Sequence, residues 1–252
     1  MISINHLLKK FGNKTVLQTE QFNISKGKLT AFIGPNGAGK STLLGMMSRL
    51  LAQDGGEILI EGLAINKIKT EKLAKQLSIL KQSNHLNMRV TIKELVAFGR
   101  FPHSKGRLSK NDEQKISEAI EYVGLTDIAG KHIHELSGGQ RQRAFIAMVI
   151  AQDTDYILLD EPLNNLDLRH AVEVMKLLRK LVDEAGKTVI VVLHDLNFAS
   201  IYADEMVAMK SGNIVAVGKK NEMMDKTLLE SLYDMPLTLK EYENNKICLH
   251  YH

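Results

Sequence analysis

The sequence has little of what marks secreted, fibrous or membrane-spanning proteins. It holds one cysteine, Cys248, so no disulfide can form within the chain, and this suits a reducing compartment. The longest uninterrupted apolar run, Ala144–Ala151, is far shorter than the roughly 20 residues that a membrane-spanning helix needs. The segment Met1–His6 lacks the basic patch and apolar core of a signal peptide. These absences favour an intracellular globular protein.

The chain also has only a small excess of one sign of charge. The 33 basic residues exceed the 29 acidic residues by a net charge of only +4, and the basic residues are scattered along the chain. So weak an excess does not predict binding to nucleic acid. A chain of 252 residues is long enough for a large α/β domain that needs no disulfide or structural metal.

Hydrophobic periodicity predicts strands that alternate with helices. The first 30 residues contain short alternating segments, Ile2–Ile4 and Lys14–Leu17, that are typical of antiparallel strands. Further strands are predicted at Leu29–Ile33, Glu57–Ile60, Leu77–Leu80, Tyr156–Asp160 and Thr188–Leu193, with a hairpin at Glu205–Val217. Helices are predicted at Thr42–Leu51, Thr91–Gly99, Asn111–Val123, Gln140–Ala151 and Leu168–Ala185. The alternation indicates a mainly parallel sheet covered on both faces.

The predicted organisation is a single domain over residues 1–252. Its core comprises residues 1–83 and 136–220, and residues 84–135 form a helical insertion that is richer in charge and turn residues. Residues 221–252 form a short C-terminal helix and tail. The last predicted core helix has an apolar face of Leu168, Ala171, Val172, Met175, Leu178 and Val182.

A glycine-rich loop follows the strand Leu29–Ile33. It reads Gly34-Pro-Asn-Gly-Ala-Gly-Lys-Ser41 and fits G-x-x-x-x-G-K-[ST] between a strand and a helix. Its glycines let the backbone N–H groups converge, and the helix N-terminus adds partial positive charge where phosphate oxygens would lie. Lys40 would reach the β- and γ-phosphates, and the Ser41 hydroxyl could ligate Mg²⁺. The predicted nucleotide-binding residues here are Gly34, Pro35, Asn36, Gly37, Ala38, Gly39, Lys40, Ser41 and Thr42.

Two adjacent acids supply the other half of a nucleotide-hydrolysing site. Asp160 and Glu161 end an apolar strand that we expect beside the phosphate-loop strand, at the edge where α/β folds bind ligands. Asp160 would hold Mg²⁺ through water, and Glu161 would polarise an attacking water molecule.

A second candidate anion site begins at Leu136. The string Leu136-Ser137-Gly138-Gly139-Gln140 precedes a buried helix, with Ser137 as the N-cap and two glycines that leave backbone amides bare. Because the phosphate loop already supplies one such site, two half-sites in one chain suggest two chains with two nucleotides between them.

The order of these motifs resembles the ATPases of the ABC family. The resemblance covers about residues 1–220 and implies a P-loop NTPase fold with a mainly parallel core sheet, an N-terminal antiparallel β subdomain and a helical insertion subdomain. It implies ATP and Mg²⁺ as cofactors. By the same resemblance, Ser137, Gly138, Gly139 and Gln140 contact the partner's nucleotide, Gln82 contacts Mg²⁺ and senses a membrane partner, Asp167 belongs to the D-loop, His194 touches the γ-phosphate, and Phe11 stacks on adenine.

Two positions depart from the pattern of the family. Asn164 stands where many relatives have serine, so the hydrogen bond of that serine is lost or replaced. Phe11 stands where tyrosine is usual, which keeps the stacking and loses a polar tip.

The resemblance implies the ATPase subunit of an importer. Such a subunit works as a homodimer under two integral-membrane permease subunits, on the cytoplasmic side of the cell membrane, and acts indirectly with an extracytoplasmic substrate-binding protein. The strings Phe98–His103 and Glu161–Asp167 resemble the ATPases of iron–siderophore, haem and cobalamin uptake, with a siderophore complex expected first. The alternatives are a soluble ABC ATPase of translation or DNA repair, which would carry a second domain or a long coiled coil, and a regulatory ATP binder, which would lack catalytic residues.

The insertion has more apolar residues than a short helical lobe needs. We expect Leu86, Met88, Val90, Leu95, Val96 and Phe98 to form a groove for a short helix of the membrane subunit. Alternatively, these side chains fill the core of the lobe. Lys105, Arg107 and Lys110 are expected on a solvated face, with contact to lipid headgroups as the alternative.

Overall fold

The computed structural model describes residues 1–82 and 89–249 of the chain. The predicted groove residues Leu86 and Met88 lie outside the described residues. The chain forms two compact units: the first comprises Met1–Ile68 and the chain from Arg179 onward, and the second comprises Lys69–Leu178.

The strands of the described residues are β1 (Ile2–Phe11), β2 (Lys14–Gln18), β3 (Phe22–Ile24), β4 (Leu29–Ile33), β5 (Gly55–Ile60), β6 (Leu63–Ala64), β7 (Leu77–Leu80), β8 (Tyr156–Leu159), β9 (Thr188–Val192), β10 (Glu205–Lys210), β11 (Asn213–Lys219), β12 (Thr238–Tyr242) and β13 (Asn245–Leu249). The α-helices are α1 (Lys40–Met47), α2 (Thr70–Leu73), α3 (Ile92–Phe98), α4 (Phe101–Ser104), α5 (Lys110–Tyr122), α6 (Gly138–Ala151), α7 (Leu168–Asp183), α8 (Leu196–Tyr202), α9 (Lys220–Met223) and α10 (Lys226–Tyr233).

The first unit contains the predicted N-terminal antiparallel sheet. Strand β1 pairs antiparallel with β2, β3 and β5, and β5 pairs with β6. Isoleucine and leucine side chains alternate into this sheet, and Ile2, Ile4 and Leu7 are completely buried.

The same unit contains the strand that leads into the phosphate loop. All of β4 is buried, and it pairs parallel with β9 on one side and with β10 on the other. Its flanking strands are therefore β9 and β10, and the expectation that Tyr156–Asp160 lies directly beside it is wrong. Because β4 and β9 run parallel, Gly34 and His194 follow the carboxyl ends of neighbouring strands at one edge of the sheet.

The second unit combines a parallel strand pair with packed helices. Strands β7 and β8 pair with Leu80 opposite Leu159, so Gln82 and Asp160 leave the pair at the same edge. Helices α3, α5 and α6 pack against one another. The buried guanidinium of Arg100 joins them, because it donates to Asp112 Oδ1 and to the carbonyl of Ala151, both at 2.8 Å.

The structure changes several predicted boundaries. Helix α1 ends at Met47 rather than Leu51, because the Ser48 hydroxyl donates to the carbonyls of Leu44 and Gly45, and Arg49 has a positive φ of 59°. Phe101–Ser104, which lies between two predicted helices, is the short helix α4. Leu168, predicted on a buried helix face, is 74% exposed at the start of α7. Neither α8 nor the hairpin of β12 and β13 was predicted.

The apolar residues of the insertion mostly fill its own core. Val90, Leu95 and Val96 are buried, so the predicted groove cannot rest on these three side chains. Phe98 is 47% exposed and remains available to a partner. Lys105, Arg107 and Lys110 are exposed, as expected of a solvated face.

Candidate functional site

The phosphate loop has the backbone shape that its glycines predict. Gly34 has a φ of +136°, and a Cβ atom there would lie 2.0 Å from the carbonyl oxygen of Met209. Gly39, at the N-cap of α1, has a φ of +98° and offers no side chain to cap the helix. The first N–H groups of a helix have no intrahelical acceptor, so this end can receive an anion.

The Lys40 ammonium lies folded over the loop. Its Nζ atom donates to the carbonyl oxygens of Gly34 at 2.7 Å and Pro35 at 2.9 Å. Lys40 is only 5% exposed, whereas Ser41, at the next position of α1, is exposed. A buried cation held by two backbone oxygens can exchange them for phosphate oxygens at little cost in hydrogen bonds.

The first unit also presents His194 and Phe11. His194 follows β9 and is exposed at the sheet edge that carries the phosphate loop. Phe11 ends β1 and is 53% exposed, with the Lys9 ammonium 5.4 Å from the centroid of its ring. An exposed aromatic ring of this kind can stack on a base.

In the second unit, Gln82 and Glu161 meet. The Gln82 amide donates to Glu161 Oε2 at 2.6 Å, and the side-chain amide of Asn164 donates to the same oxygen. Glu161 has a positive φ of 51°, an uncommon conformation for a residue with a side chain. Two donors on one oxygen orient the carboxylate, a group that can accept a proton from water.

Asn164 is a residue whose contribution the sequence reasoning missed. It was noted there only as a departure from the serine of many relatives. In the structure its amide donates to Glu161, so the side chain helps to orient this carboxylate. The sequence signal that could have indicated this contact is an amide side chain, Asn164, three residues after Glu161.

The LSGGQ segment forms a capped helix start. Ser137 Oγ accepts from the backbone N–H of Gln140 at 3.3 Å, and Gln140 Oε1 accepts from the N–H of Ser137 at 3.1 Å. The expectation that the amides at this helix start are bare is therefore wrong for Gln140, because its N–H donates to Ser137 Oγ. Ser137 and Gly138 are exposed at the N-terminus of α6.

His170 connects α6, the helix that begins at the LSGGQ segment, to Asp167 of the D-loop. Asp167 Oδ1 accepts from the backbone N–H of His170 at 2.9 Å and lies 2.8 Å from His170 Nδ1. The hydrogen bond from the backbone N–H of His170 lowers the pKa of Asp167 most, and the hydrogen bond with the imidazole ring lowers it further. The imidazole also packs on Gly139, where a Cβ atom would lie 2.3 Å from the ring. Sequence reasoning did not single out His170.

The residues predicted to hold Mg²⁺ have suitable chemistry. Asp160 directly follows β8 and is 8% exposed, and Ser41 and Gln82 add a hydroxyl and an amide oxygen. Mg²⁺ prefers such hard oxygen donors. The chemistry of each of these side chains therefore suits the ion; Asp160 and Gln82 belong to the second unit and Ser41 to the first.

Comparisons with known proteins agree with these motifs. A family model described as ABC transporter matches residues 17–164. The chain is 54% identical over 251 residues to the petrobactin import ATP-binding protein YclP of Bacillus subtilis (strain 168), with 100% of both chains covered. It is 48% identical over 234 residues to the petrobactin import ATP-binding protein FatE of Bacillus anthracis, covering 93% of this chain and 94% of that protein.

Solved structures have the same fold. A transporter of the metal-chelate ABC type, in an inward-facing conformation, matches with a TM-score of 0.85 and 25% identity over 99% of this chain and 98% of that one. A dimeric ATP-binding cassette in a post-hydrolysis state with ADP and Pi matches with a TM-score of 0.77 and 30% identity, over 87% and 99% of the two chains. The chain therefore belongs to the ABC transporter family and is one of its ATPases.

Proposed function

We propose that this chain is the ATP-hydrolysing subunit of an importer that takes up an iron–siderophore complex. The full-length 54% identity to a petrobactin import ATP-binding protein supports the transport class. Further relatives that serve hydroxamate and enterobactin import support siderophores as a class over haem or cobalamin. The observation that carries hydrolysis is the Glu161 carboxylate, which two side-chain amides hold by one oxygen.

The phosphate loop binds the triphosphate in this proposal. Lys40 exchanges its two carbonyl partners for β- and γ-phosphate oxygens, while the amides of the loop and of the α1 N-terminus receive the remaining phosphate charge. Phe11 stacks on the adenine ring, and His194 contacts the γ-phosphate. Ser41, Gln82 and Asp160 would hold Mg²⁺, which when bound neutralises charge on the phosphate oxygens.

Glu161 acts on the attacking water. Held at Oε2 by Gln82 and Asn164, the carboxylate takes a proton from the water as the water attacks the γ-phosphorus. The bond between the γ-phosphorus and the bridging oxygen of the β-phosphate breaks, and ADP leaves. Gln82 thereby links the base to the chain that enters the insertion, so a change there can reach Glu161 through a single hydrogen bond.

Two copies of the chain act together in the proposed mechanism. The N-terminus of α6, with Ser137 and Gly138 exposed, contacts the nucleotide held by the phosphate loop of the partner copy. Asp167 is held by His170, which also packs on Gly139, so His170 connects the D-loop to the N-terminus of α6.

Two permease subunits are the proposed membrane partners. Within the described ranges, no helix has the length and apolar character needed to cross a membrane. Phe98 and Phe101 are 47% and 64% exposed and lie three residues apart in the helical part of the second unit. We propose that they receive a short permease helix at the cytoplasmic face, and that an extracytoplasmic binding protein delivers the substrate to the permeases.

The single-domain organisation over 1–252 stays a prediction.

The substrate is tested by reconstitution with the membrane partners. The chain is co-expressed with the permease and binding-protein genes of its own genome, and uptake of a ⁵⁵Fe-labelled siderophore complex is compared with uptake of haem and cobalamin. We expect siderophore uptake that needs ATP. Uptake of haem or cobalamin alone would contradict the proposed substrate and leave the importer class intact.

A charge at the exposed phenylalanine tests the coupling. Phe98→Glu should lower uptake at least tenfold and leave the ATPase rate of the isolated subunit within about twofold, because the side chain is exposed and contributes to docking only. Leu63→Glu is the matched control, because Leu63 is 52% exposed in the first unit. Normal uptake by the Phe98 variant would exclude this surface as the docking site.

A further inference from the structure

The C-terminal segment, defined as α10 with the β12–β13 hairpin (Lys226–Leu249), has no role in the mechanism above. The matched family region ends at residue 164, so it does not include this segment. The segment is nevertheless well packed: Leu229 and Leu232 are completely buried, and Cys248 is 2% exposed. Its contacts within the first unit point to a function.

Tyr233, the last residue of α10, contacts the phosphate loop. Its hydroxyl accepts a hydrogen bond of 3.1 Å from the backbone N–H of Gly34, the first residue of the loop, which is buried. The carbonyl of the same Gly34 accepts from Lys40 Nζ. The C-terminal segment and the catalytic lysine therefore hold the two polar groups of one glycine.

The hydroxyl of Tyr233 stays neutral over the physiological range. Burial raises the pKa of Tyr233 to about 12, and the hydrogen bond from Gly34 offsets this only in part. A neutral hydroxyl can accept from the Gly34 N–H without adding a negative charge next to a site for phosphates.

Other contacts hold Tyr233 in place. Lys210 Nζ, at the end of β10, donates to the carbonyl of Ser231 at 2.5 Å and to Asp234 Oδ1 at 2.7 Å, on either side of Tyr233. The hairpin is fixed by Asn197, which accepts from the Cys248 N–H at 2.7 Å and donates to its carbonyl at 3.2 Å. Asn197 lies in α8, which begins two residues after His194.

A cavity of about 350 Å³ lies where the segment meets the chain after β9. His194 lines it together with Tyr233, Met235 and Leu237. The segment thus borders two of the parts of the first unit that the proposed function assigns to the nucleotide, the phosphate loop and His194.

We propose that the C-terminal segment is a positioning element of the nucleotide site, and that it acts through the hydrogen bond from Gly34 to Tyr233. This inference rests on the proposed ATPase function. Tyr233 does not contact the nucleotide; it orients the Gly34 peptide and so keeps the loop in its binding shape. A loop already in that shape loses less conformational freedom on binding.

Tyr233→Phe removes only the hydroxyl and tests the proposal. The buried Gly34 N–H loses its acceptor, so the loop leaves its binding shape more often, and we expect the Kd for ATP to rise about three- to tenfold. The kcat should stay within about twofold, because Glu161 and its amide partners belong to the other unit. Kd is measured with a fluorescent ATP analogue, and kcat at saturating ATP.

The matched control is Tyr242→Phe. Tyr242 lies in β12 of the same segment and is 66% exposed, so the change removes the same atom from a solvated ring. Its Kd and kcat should equal those of the unmodified protein. A thermal unfolding curve for each variant separates a changed loop from a changed fold.

Lys210→Met gives a second, independent perturbation. It releases the end of α10 that carries Tyr233, so it should raise the Kd in the same direction by a smaller factor. In the double variant with Tyr233→Phe, the two effects should fall short of multiplying, since both act through one hydrogen bond.

The outcomes distinguish a failure of the proposed ATPase function from a failure of the positioning role of the C-terminal segment. If the unmodified protein does not bind ATP, the proposed function fails. If it binds ATP and folded Tyr233→Phe binds equally well, the C-terminal segment has no positioning role. Should Tyr233→Phe fail to fold, an unchanged Kd in Lys210→Met would overturn the proposal, and a raised Kd would support it.

Discussion

At the residue scale, the proposed hydrolysis depends on the carboxylate of Glu161. The structure gives it a left-handed backbone and two amide donors on the same oxygen. These donors fix the orientation of the carboxylate, so substitutions at Glu161 and at Asn164 test the base and its positioning separately.

Glu161→Gln should leave ATP binding intact and lower the hydrolysis rate by about 10²–10⁴, because an amide keeps the shape of the side chain and cannot accept the proton. The variant should accumulate as an ATP-bound dimer. Lys40→Ala is the contrast: it removes a cation from the phosphates and should weaken binding itself. Phosphate release and ATP binding are measured for both, and ordinary turnover by Glu161→Gln would remove this residue from the mechanism.

Asn164→Ala should lower kcat by roughly three- to tenfold with little change in KM, since one hydrogen bond to the base is lost and no contact to ATP is removed. Asn164→Ser, the residue of many relatives, should restore most of the rate because a hydroxyl can also donate. Steady-state kinetics test this, and an equal loss in both variants would show that the donor is not what matters.

At the element scale, short polar motifs set where three helices of the second unit, α3, α5 and α6, begin. Thr91, Ser109 and Ser137 each form a capping box with the residue three positions later; of the three, the sequence analysis predicted only Ser137 as an N-cap. Asp112 has a second task, because its other oxygen accepts from the buried Arg100. Its position thus connects a helix end to the packing of α3, α5 and α6.

Asp112 should make the stability of the protein depend on acid pH. Hydrogen bonds from the Ser109 side chain and backbone, and then from Arg100, lower the pKa of Asp112 from 3.8 to about 2. A folded-state pKa below the unfolded value contributes stability that is complete above about pH 4 and is lost as the pH falls to about 2. Urea unfolding at several pH values should show this slope, and Asp112→Asn should reduce it.

The same variant should be less stable at neutral pH, by roughly 3–5 kcal/mol at most, because the buried Arg100 loses its charged partner. Asp127→Asn, at an exposed position of the same unit, is the control and should change neither the slope nor the stability. An unchanged slope in Asp112→Asn would show that other carboxylates cause the acid dependence.

At the scale of the whole molecule, the proposed mechanism needs two copies of the chain. Gly138 is the position to test, because a Cβ atom there meets only the Asn165 carbonyl at an ordinary 3.6 Å, whereas at Gly139 it would strike His170. A side chain at Gly138 therefore disturbs a partner before it disturbs the fold.

Gly138→Asp should keep one ATP bound per chain and abolish ATP-driven dimerisation, since its carboxylate repels the γ-phosphate of the partner copy. An acid in the first turn favours the helix, so α6 should stay formed. Gly130→Asp is the control, because a Cβ atom there meets nothing within 4 Å. Size-exclusion chromatography with ATP is the measurement, in the Glu161→Gln background. A dimer in the Gly138 variant would contradict the two-chain site.

The sequence by itself determined the parts of this protein that depend on local order. The phosphate loop, the LSGGQ cap and the strands before Gly34 and Asp160 all appear where the pattern predicts, because turn geometry, capping and side-chain periodicity act over a few residues. The family and its ATPase chemistry follow from the order of those motifs.

Tertiary structure alone decided which distant side chains meet. That β9 and β10 flank β4, that Gln82 contacts Glu161, and that Tyr233 accepts from Gly34 are contacts between residues far apart in the chain. One tyrosine in a C-terminal helix has the same local pattern whether its hydroxyl faces water or a buried glycine. Only the packing of α10 on the first unit selects between them, because a buried N–H must find an acceptor and the folded chain brings this one within reach.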